Sequence, residues 1–133
     1  MLIDRPSTKV LVVDDFPTMR RFVRTLLRQM GFTNFVEADD GSEADRILKS
    51  TEDIGLIICD LNMPKMSGIE LLKVVRSSSQ YSNLPFLLVA SESQKEQVVE
   101  AVKLGATNYI YKPFTGANLQ DKLGRIFSSK NAS

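Results

Sequence analysis

One apolar segment in the middle of the chain, residues 55–64, constrains the fold more than any other. It begins Gly-Leu-Ile-Ile-Cys, which has the length and character of a buried strand, and then stops at a single carboxylate, Asp60. The chain turns next through Asn62 and Pro64 toward Gly68. A buried strand that ends in an acid lifts that acid onto the rim of a sheet. We therefore expect Asp60 to belong to a functional site.

Four other short apolar segments alternate with five stretches of helical periodicity. The predicted strands span residues 9–13, 35–38, 55–60, 86–90 and 109–111. Connections too long for hairpins imply a parallel sheet that is covered on both faces. We predict an α/β fold with a doubly wound, five-stranded parallel sheet over residues 9–128. Residues 1–8 are predicted to be an N-terminal extension and residues 129–133 a tail.

Composition excludes several classes of site. The 133 residues suffice for one domain, and the absence of histidine, with Cys59 as the only cysteine, rules out an internal disulfide and disfavours zinc. Seventeen basic and 16 acidic residues give a net charge of +1, so we expect neither nucleic acid nor a membrane as partner. No secretory signal or membrane span is recognisable, which predicts a cytoplasmic protein. The first helix carries four arginines that we predict to lie on solvated surface: Arg20, Arg21, Arg24 and Arg28.

Three acids and one base stand at predicted strand ends. Asp14 and Asp15 follow the first strand, Asp60 ends the third and Lys112 ends the fifth. Carboxylates about 4 Å apart repel by about 4 kcal/mol per pair at an effective dielectric constant near 20, so a cation should lie among them. Oxygen donors without histidine suit Mg²⁺. Asp60 would then be placed to attack phosphorus, with the metal and Lys112 neutralising the transferring group.

These residues, in this order, resemble the receiver domains of two-component response regulators, and most of all the single-domain chemotaxis type. The resemblance extends over residues 9–127. Its marks are Asp14-Asp15, Asp60, the Asn62-Met63-Pro64 turn with Gly68 after it, and Lys112-Pro113-Phe114. Phe16, Met19-Arg20-Arg21 and Thr115 are similar to the chemotaxis branch in particular. The resemblance implies a flavodoxin-like fold with strand order 2-1-3-4-5.

The resemblance also implies a role for each site residue. Asp60 would be the phosphate acceptor, and Asp15, Asp60 and the Asn62 carbonyl would bind Mg²⁺. Asp14 would assist through water, and Lys112 would contact the phosphoryl group. The Lys112–Pro113 bond is expected to be cis, which would aim the lysine inward.

One position departs from the family pattern. Receivers usually carry Ser or Thr at the end of the fourth strand to bond the phosphoryl oxygen, but counting back from Glu92 places Ala90 there. Ser91 is next, and strand alternation would aim its side chain at the other face unless the strand has already ended. Tyr109 matches the family's mobile aromatic. We therefore count Ala90, Ser91, Glu92 and Tyr109, together with Asn62, as phosphoryl-contact or switch positions.

The predicted function is that of a phospho-accepting signal carrier, not of an enzyme with an external substrate, although it would catalyse its own phosphoryl transfer and hydrolysis. Resemblance implies a histidine kinase as donor, the flagellar motor switch protein as target, a possible phosphatase partner and a monomeric state. The target-binding face would comprise residues 94–102, Tyr109 and residues 122–125. The alternative within the family is a phosphate sink that does not bind the motor, which Ala90 favours.

Two alternatives come from other functional classes. An aspartate-nucleophile phosphatase usually keeps its nucleophile and acid two residues apart after the first strand, whereas Asp60-Leu61-Asn62 has no second acid. A flavodoxin-like cofactor carrier needs a phosphate cradle after the first strand. The sequence there, Asp14-Asp15-Phe16-Pro17, would repel phosphate.

Overall fold

The computed structural model describes residues 7–132, with side chains to Ser128. Strands and helices alternate as predicted. The strands are β1 (Lys9–Val13), β2 (Asn34–Ala38), β3 (Ile54–Asp60), β4 (Phe86–Ser91) and β5 (Asn108–Lys112). The helices are α1 (Pro17–Gln29), α2 (Gly41–Ser50), α3 (Gly68–Ser77), α4 (Lys95–Lys103) and α5 (Gly116–Ala132), with a single 3₁₀ turn at Glu92–Gln94 before α4.

The five strands form one parallel sheet in the order β2-β1-β3-β4-β5, which confirms the predicted topology. The register aligns the carboxyl ends of neighbouring strands: Val13 pairs with Cys59, Asp60 with Val89, and Ser91 with Lys112. The strand order reverses at β1, where the chain first goes to β2 and later returns to place β3 on the other side. A crevice opens at such a reversal, outside the carboxyl ends of the strands, and this is where the acids lie.

The sheet is buried on both faces because its strand residues alternate between two cores. One core packs α2, α3 and α4 against strand residues such as Leu11, Ile57 and Leu88. The other packs α1 and α5 against residues such as Val12 and Ile58. The doubly wound arrangement was therefore readable from continuous apolar strands, which have no solvent face.

Local sequence signals account for the ends of several helices. Pro17 occupies the first turn of α1, where a missing backbone N–H costs nothing. The chain leaves α1 through Gly31, whose φ of 102° lies in the region that glycine adopts without strain. Ser67 and Glu70 form a reciprocal capping box at the start of α3, just after the Asp60 turn.

The predicted boundaries of the termini stay predictions. The backbone of α5 is helical through Ala132, within the segment 129–133 that was predicted to be a tail. The predicted N-terminal extension at residues 1–8 falls mostly outside the described residues. Within residues 7–132, no helix is long and apolar enough to cross a membrane.

Candidate functional site

The three predicted acids meet at the carboxyl edge of the sheet. Asp14 and Asp15 follow β1, and Asp60 is the last residue of β3. One carboxylate oxygen from each lies within 4.8 Å of those of the other two. Asp14 and Asp60 are buried, and Asp15 is half-buried. Adjacent parallel strands that end together thus bring the acids to one point although 45 residues separate Asp15 from Asp60.

The fourth predicted member, Lys112, contacts this cluster directly. It is the last residue of β5, and its Nζ lies 2.7 Å from Oδ1 of Asp60. The Lys112–Pro113 peptide bond is cis, as expected. The lysine side chain is about one-third exposed, whereas that of Asp60 is almost wholly buried, so the cation covers the acid from the solvent side.

Burial raises the pKa of two of the acids, Asp14 and Asp60. It raises the pKa of Asp60, while the hydrogen bond and the charge of Lys112 lower that pKa and the negative charge of Asp15 raises it again. Burial also raises the pKa of Asp14, against a hydrogen bond from the Phe16 amide at 2.9 Å that lowers it. Desolvation is the largest cause in both. The folded protein therefore holds these charges at a cost that one lysine does not fully offset.

The donor set fits Mg²⁺. Oδ1 of Asp15 is buried and has no hydrogen-bond partner among the described residues. A buried carboxylate oxygen without a partner is costly, and a hard cation would satisfy it. Asp15 and Asp60 could supply carboxylate oxygens, with the carbonyl of Asn62 from the adjoining turn. The Asn62 amide already donates to Oδ2 of Asp60 at 3.2 Å, so this turn is held against the site.

Gly68 explains how the turn after Asp60 can close so tightly. A Cβ at this position would lie 2.5 Å from the backbone oxygen of Asp60 and 3.0 Å from Cα of Leu61. The Gly68 amide donates to the Leu61 carbonyl at 3.0 Å. The chain from residue 61 to residue 67 therefore returns to the end of β3 through a contact that only glycine permits.

Of the predicted phosphoryl-contact or switch positions, Asn62 contacts the acid cluster through Asp60, and the others have contacts of their own. Ala90 is fully buried on β4, opposite Tyr111 of β5. Ser91 is still in the strand, and its hydroxyl contacts Ser93 Oγ at 2.8 Å and Gln94 Oε1 at 3.1 Å. The hydroxyl next to Ala90 is thus already engaged in the turn that precedes α4.

Two further switch positions face the surface. Tyr109 is half-buried, with its ring 5.4 Å from that of Tyr111 and the Nζ of Lys122 4.5 Å above it. Glu92 is exposed in the 3₁₀ turn. The structure therefore unites Asp14, Asp15, Asp60 and Lys112, whereas the ring of Tyr109 contacts Tyr111 and Lys122.

The sequence-based prediction for Arg20 was wrong. We expected a solvated arginine, but its side chain is only 12% exposed and makes an ion pair with Glu37 at 2.9 Å. It also donates to the backbone carbonyl of Asp14. Helical periodicity places Arg20 off the apolar face of α1, and no local pattern reveals that β2 lies opposite it. Arg21 and Arg28 are exposed, as predicted, whereas Arg24 is half-buried beside Glu37.

Comparisons with known proteins agree with this geometry. The family model described as the response regulator receiver domain matches residues 10–124. Chemotaxis protein CheY-3 of Vibrio cholerae is 49% identical over 121 residues, covering 91% of this chain and 92% of that protein. Chemotaxis protein CheY of Pseudomonas aeruginosa is 45% identical over 123 residues, covering 92% of this chain and 98% of that protein.

Solved structures give the same result. The structure of chemotaxis response regulator CheY4 of Vibrio cholerae aligns with a TM-score of 0.82 at 37% identity, covering 90% of this chain and 98% of that chain. A receiver domain protein of Clostridium thermocellum aligns with a TM-score of 0.84 at 25% identity, covering 94% and 98%. With an acid cluster and a lysine at the carboxyl edge of a 2-1-3-4-5 sheet, the chain belongs to the response regulator receiver domain family.

Proposed function

We propose that Asp60 accepts a phosphoryl group from a histidine kinase with the help of Mg²⁺, and that the phosphorylated protein binds the flagellar motor switch protein. The observation that carries the proposal is the contact of Lys112 with the buried carboxylate of Asp60, beside two further acids. A carboxylate among like charges, with one cation at its open side, suits transfer of a negatively charged group to that carboxylate.

The chemistry follows from what each residue can supply. A carboxylate oxygen of Asp60 forms the new bond to phosphorus while the bond from phosphorus to the donor's imidazole nitrogen breaks. Mg²⁺ held by Asp15, Asp60 and the Asn62 carbonyl would neutralise charge on the transferring group. Lys112 Nζ, which contacts Oδ1 of Asp60, would be placed to contact a phosphoryl oxygen on that carboxylate. Later attack of water on the phosphorus would break its bond to Asp60, restore the free carboxylate and release inorganic phosphate.

The surface around α4 supports the proposed partner. Val99 and Val102 are large apolar side chains that are 54% and 47% exposed. Tyr109 of β5 and Lys122 of α5 contact each other, with Nζ 4.5 Å from the ring centroid, and the family resemblance assigns them to the same target-binding face as α4. Apolar side chains rimmed by charge are typical of a protein-binding surface. The chemotaxis relatives and the resemblance to chemotaxis regulators favour the motor switch as the partner of this surface.

A phosphate sink is the second candidate, and Ala90 favours it. The fully buried methyl group at this position offers no hydroxyl to a phosphoryl oxygen. The Ser91 hydroxyl is engaged by Ser93 and Gln94. A protein with this arrangement could accept phosphate from the kinase while changing its target-binding face only slightly.

The acceptor assignment is tested by incubation with acetyl phosphate and Mg²⁺, followed by mass spectrometry. We expect one acid-stable, base-labile phosphoryl group on the native protein and none on Asp60→Asn. The matched control is Asp53→Asn, which changes an exposed acid directly before β3, where asparagine tolerates the φ of 69°. Peptide mapping that places the group on any residue except Asp60 would overturn the assignment.

The metal site is tested by thermal unfolding. Millimolar Mg²⁺ should raise the melting temperature of the native protein because it binds the folded acid cluster and has no preformed site in the unfolded chain. Asp15→Ala should abolish this gain. Melting curves of the native protein that superimpose with Mg²⁺ and with chelator would refute the metal site.

The partner is tested by titration with a peptide from a flagellar motor switch protein. A phosphoryl mimic with Mg²⁺ should tighten binding, and Val99→Ser should weaken it with the mimic bound. Phosphorylation of Asp60 without any gain in peptide affinity would favour the phosphate sink instead.

A further inference from the structure

We propose that Arg20 is a positioning residue that holds the metal-binding acids of the β1 loop in place. This inference rests on the proposed Mg²⁺ site. Arg20 lies in the first turn of α1, and its guanidinium reaches across the loop that carries Asp14 and Asp15. The side chain is 12% exposed, so its position is set by contacts with the protein and not by solvent.

Three acceptors surround this guanidinium. Nε donates to Oε1 of Glu37 at 2.9 Å, and Nη1 lies 3.1 Å from Oδ1 of Asp39. Nη1 also donates to the backbone carbonyl of Asp14. The two carboxylates belong to β2 and the residue just after it, whereas the carbonyl belongs to the loop after β1. Arg20 therefore ties the metal-binding loop to the neighbouring strand.

The carbonyl that Arg20 binds has a particular importance. It is part of the peptide group that joins Asp14 to Asp15. The amide of Asp14 donates to the Ala38 carbonyl at 3.1 Å, which extends the β1–β2 ladder by one residue. Asp14 is thus held at its N–H by β2 and at its C=O by Arg20. These two bonds set the direction in which the chain enters Asp15, whose Oδ1 is the buried oxygen without a hydrogen-bond partner among the described residues.

Geometry, more than charge, makes arginine suited to this position. A planar guanidinium can serve a carboxylate and a carbonyl at once from fixed directions, whereas a lysine ammonium is a compact point charge on a flexible stem. The geometry of Arg20 and its charge would also affect Mg²⁺ affinity in opposite directions. A positive charge near the acids opposes Mg²⁺ binding, so a purely electrostatic role would make binding tighter when Arg20 is lost. A positioning role makes it weaker.

Arg24 provides a matched control. Its Nε lies 3.4 Å from Oε2 of Glu37, on the same carboxylate that Arg20 binds, and its side chain is 26% exposed. Among the described residues, the Asp14 carbonyl accepts from Arg20 and not from Arg24. Arg24→Lys therefore makes the same chemical change beside the same acid without releasing the loop.

The experiment compares Mg²⁺ affinity, measured by isothermal titration calorimetry, in the native protein, Arg20→Lys and Arg24→Lys. Loss of a residue that orients a ligand typically weakens metal affinity by 10- to 100-fold. Since Arg20 acts through the backbone, we expect Arg20→Lys to weaken Mg²⁺ affinity by about tenfold, at the low end of that range. Arg24→Lys should weaken it by less than about twofold. Urea unfolding of all three proteins in chelator measures any general loss of stability separately.

Each outcome bears on the inference. Native-like Mg²⁺ affinity in Arg20→Lys, with or without lower stability, would show that Arg20 is only structural and overturn the proposal. Absence of Mg²⁺ binding by the native protein would instead overturn the proposed metal site and the role of Arg20 with it. Should Arg20→Lys fail to fold, Asp39→Asn releases one exposed partner of Arg20. Measured at high salt, where the lost charge is screened, it should still weaken Mg²⁺ binding by about twofold, and unchanged affinity would contradict the proposal.

Discussion

Replacing the proposed phosphate acceptor should make the metal-free protein more stable. Asp60→Asn keeps the shape of the side chain and removes its charge. The native carboxylate is almost wholly buried and lies with two other acids whose oxygens are no more than 4.8 Å away. Asparagine removes both repulsions and the desolvation of the charge, and the only strong attraction it gives up is that to Lys112.

The magnitude follows from these distances. At an effective dielectric constant near 20, each repulsion across at most 4.8 Å is at least about 3.5 kcal/mol, and the attraction to Lys112 across 2.7 Å is about 6 kcal/mol. The two repulsions together slightly exceed the attraction, and the cost of burying the charge adds to them. Lys112 is one-third exposed and also interacts with Asp14, so it is not left buried without a partner. We expect Asp60→Asn to stabilise the fold by about 1 to 2 kcal/mol, which is about 4 to 8 °C in melting temperature.

The assay is urea unfolding at pH 7 in chelator, with circular dichroism as the signal. Asp53→Asn, which removes an exposed acid directly before β3, serves as control and should change stability by less than about 0.5 kcal/mol. Added Mg²⁺ should narrow the difference in free energy of unfolding between the native protein and Asp60→Asn, because the native site gains a cation.

A destabilised Asp60→Asn would refute this reasoning. It would mean that the ion pair with Lys112 outweighs the repulsion and the desolvation together. An equal gain in Asp53→Asn would show that the effect reflects net charge and not the cluster.

Three further predictions concern Asp60, Gly68 and Ala90. First, burial raises the pKa of Asp60 above its ordinary value of 3.8. Just above that pH the folded state therefore binds more protons than the unfolded state, and the free energy of unfolding falls as the pH rises. The advantage of Asp60→Asn should therefore shrink as pH falls from 7 toward 3.8, and unfolding curves with a constant difference would contradict the shift. Second, Gly68→Ala should destabilise by about 1 to 3 kcal/mol and slow phosphorylation by acetyl phosphate, because the new Cβ would meet the Asp60 carbonyl at 2.5 Å. Gly124→Ala, which has open space in α5, should instead be neutral or stabilising by up to about 1 kcal/mol, and similar effects at both glycines would disprove the steric account. Third, Ala90→Thr should lower the free energy of unfolding by about 1 to 3 kcal/mol, because the larger side chain must fit beside Tyr111. It should also enlarge the phosphoryl-dependent change in motor-peptide affinity by up to about thirtyfold, since a hydrogen bond from the hydroxyl to a phosphoryl oxygen is worth about 2 kcal/mol. A native protein that already shows a large change, with no increase from the threonine, would show that another donor does this work.

Much of the fold was predictable because its signals are local. Continuous apolar runs of strand length have no solvent face, and this alone indicates a sheet buried on both sides. Gly31 and Pro17 mark the limits of α1 through backbone constraints that act within a few residues. The sequence also indicated that Asp15, Asp60 and Lys112 would meet, because parallel strands end at a common edge whatever their separation in the chain.

What the sequence could not supply were contacts between side chains from different elements. Arg20 reads as a surface arginine because helical periodicity carries no information about Glu37, 17 residues away on β2. Helix–sheet packing brings Arg20 and Glu37 together. The contacts of the Ser91 hydroxyl are local by contrast, because Ser93 and Gln94 lie two and three residues further along the chain.

Residue types and their order along the chain therefore determined the doubly wound parallel sheet and the membership of the acid site, and the family resemblance supplied the strand order. Only the tertiary structure decided how strongly each charge is buried, which carboxylate oxygen the lysine contacts, and which distant arginine holds the loop of Asp14 and Asp15. The physical reason is the distance along the chain over which each kind of interaction acts. Backbone preferences and apolar periodicity act over one turn or one strand, whereas desolvation and hydrogen-bond geometry depend on neighbours that only the complete fold provides.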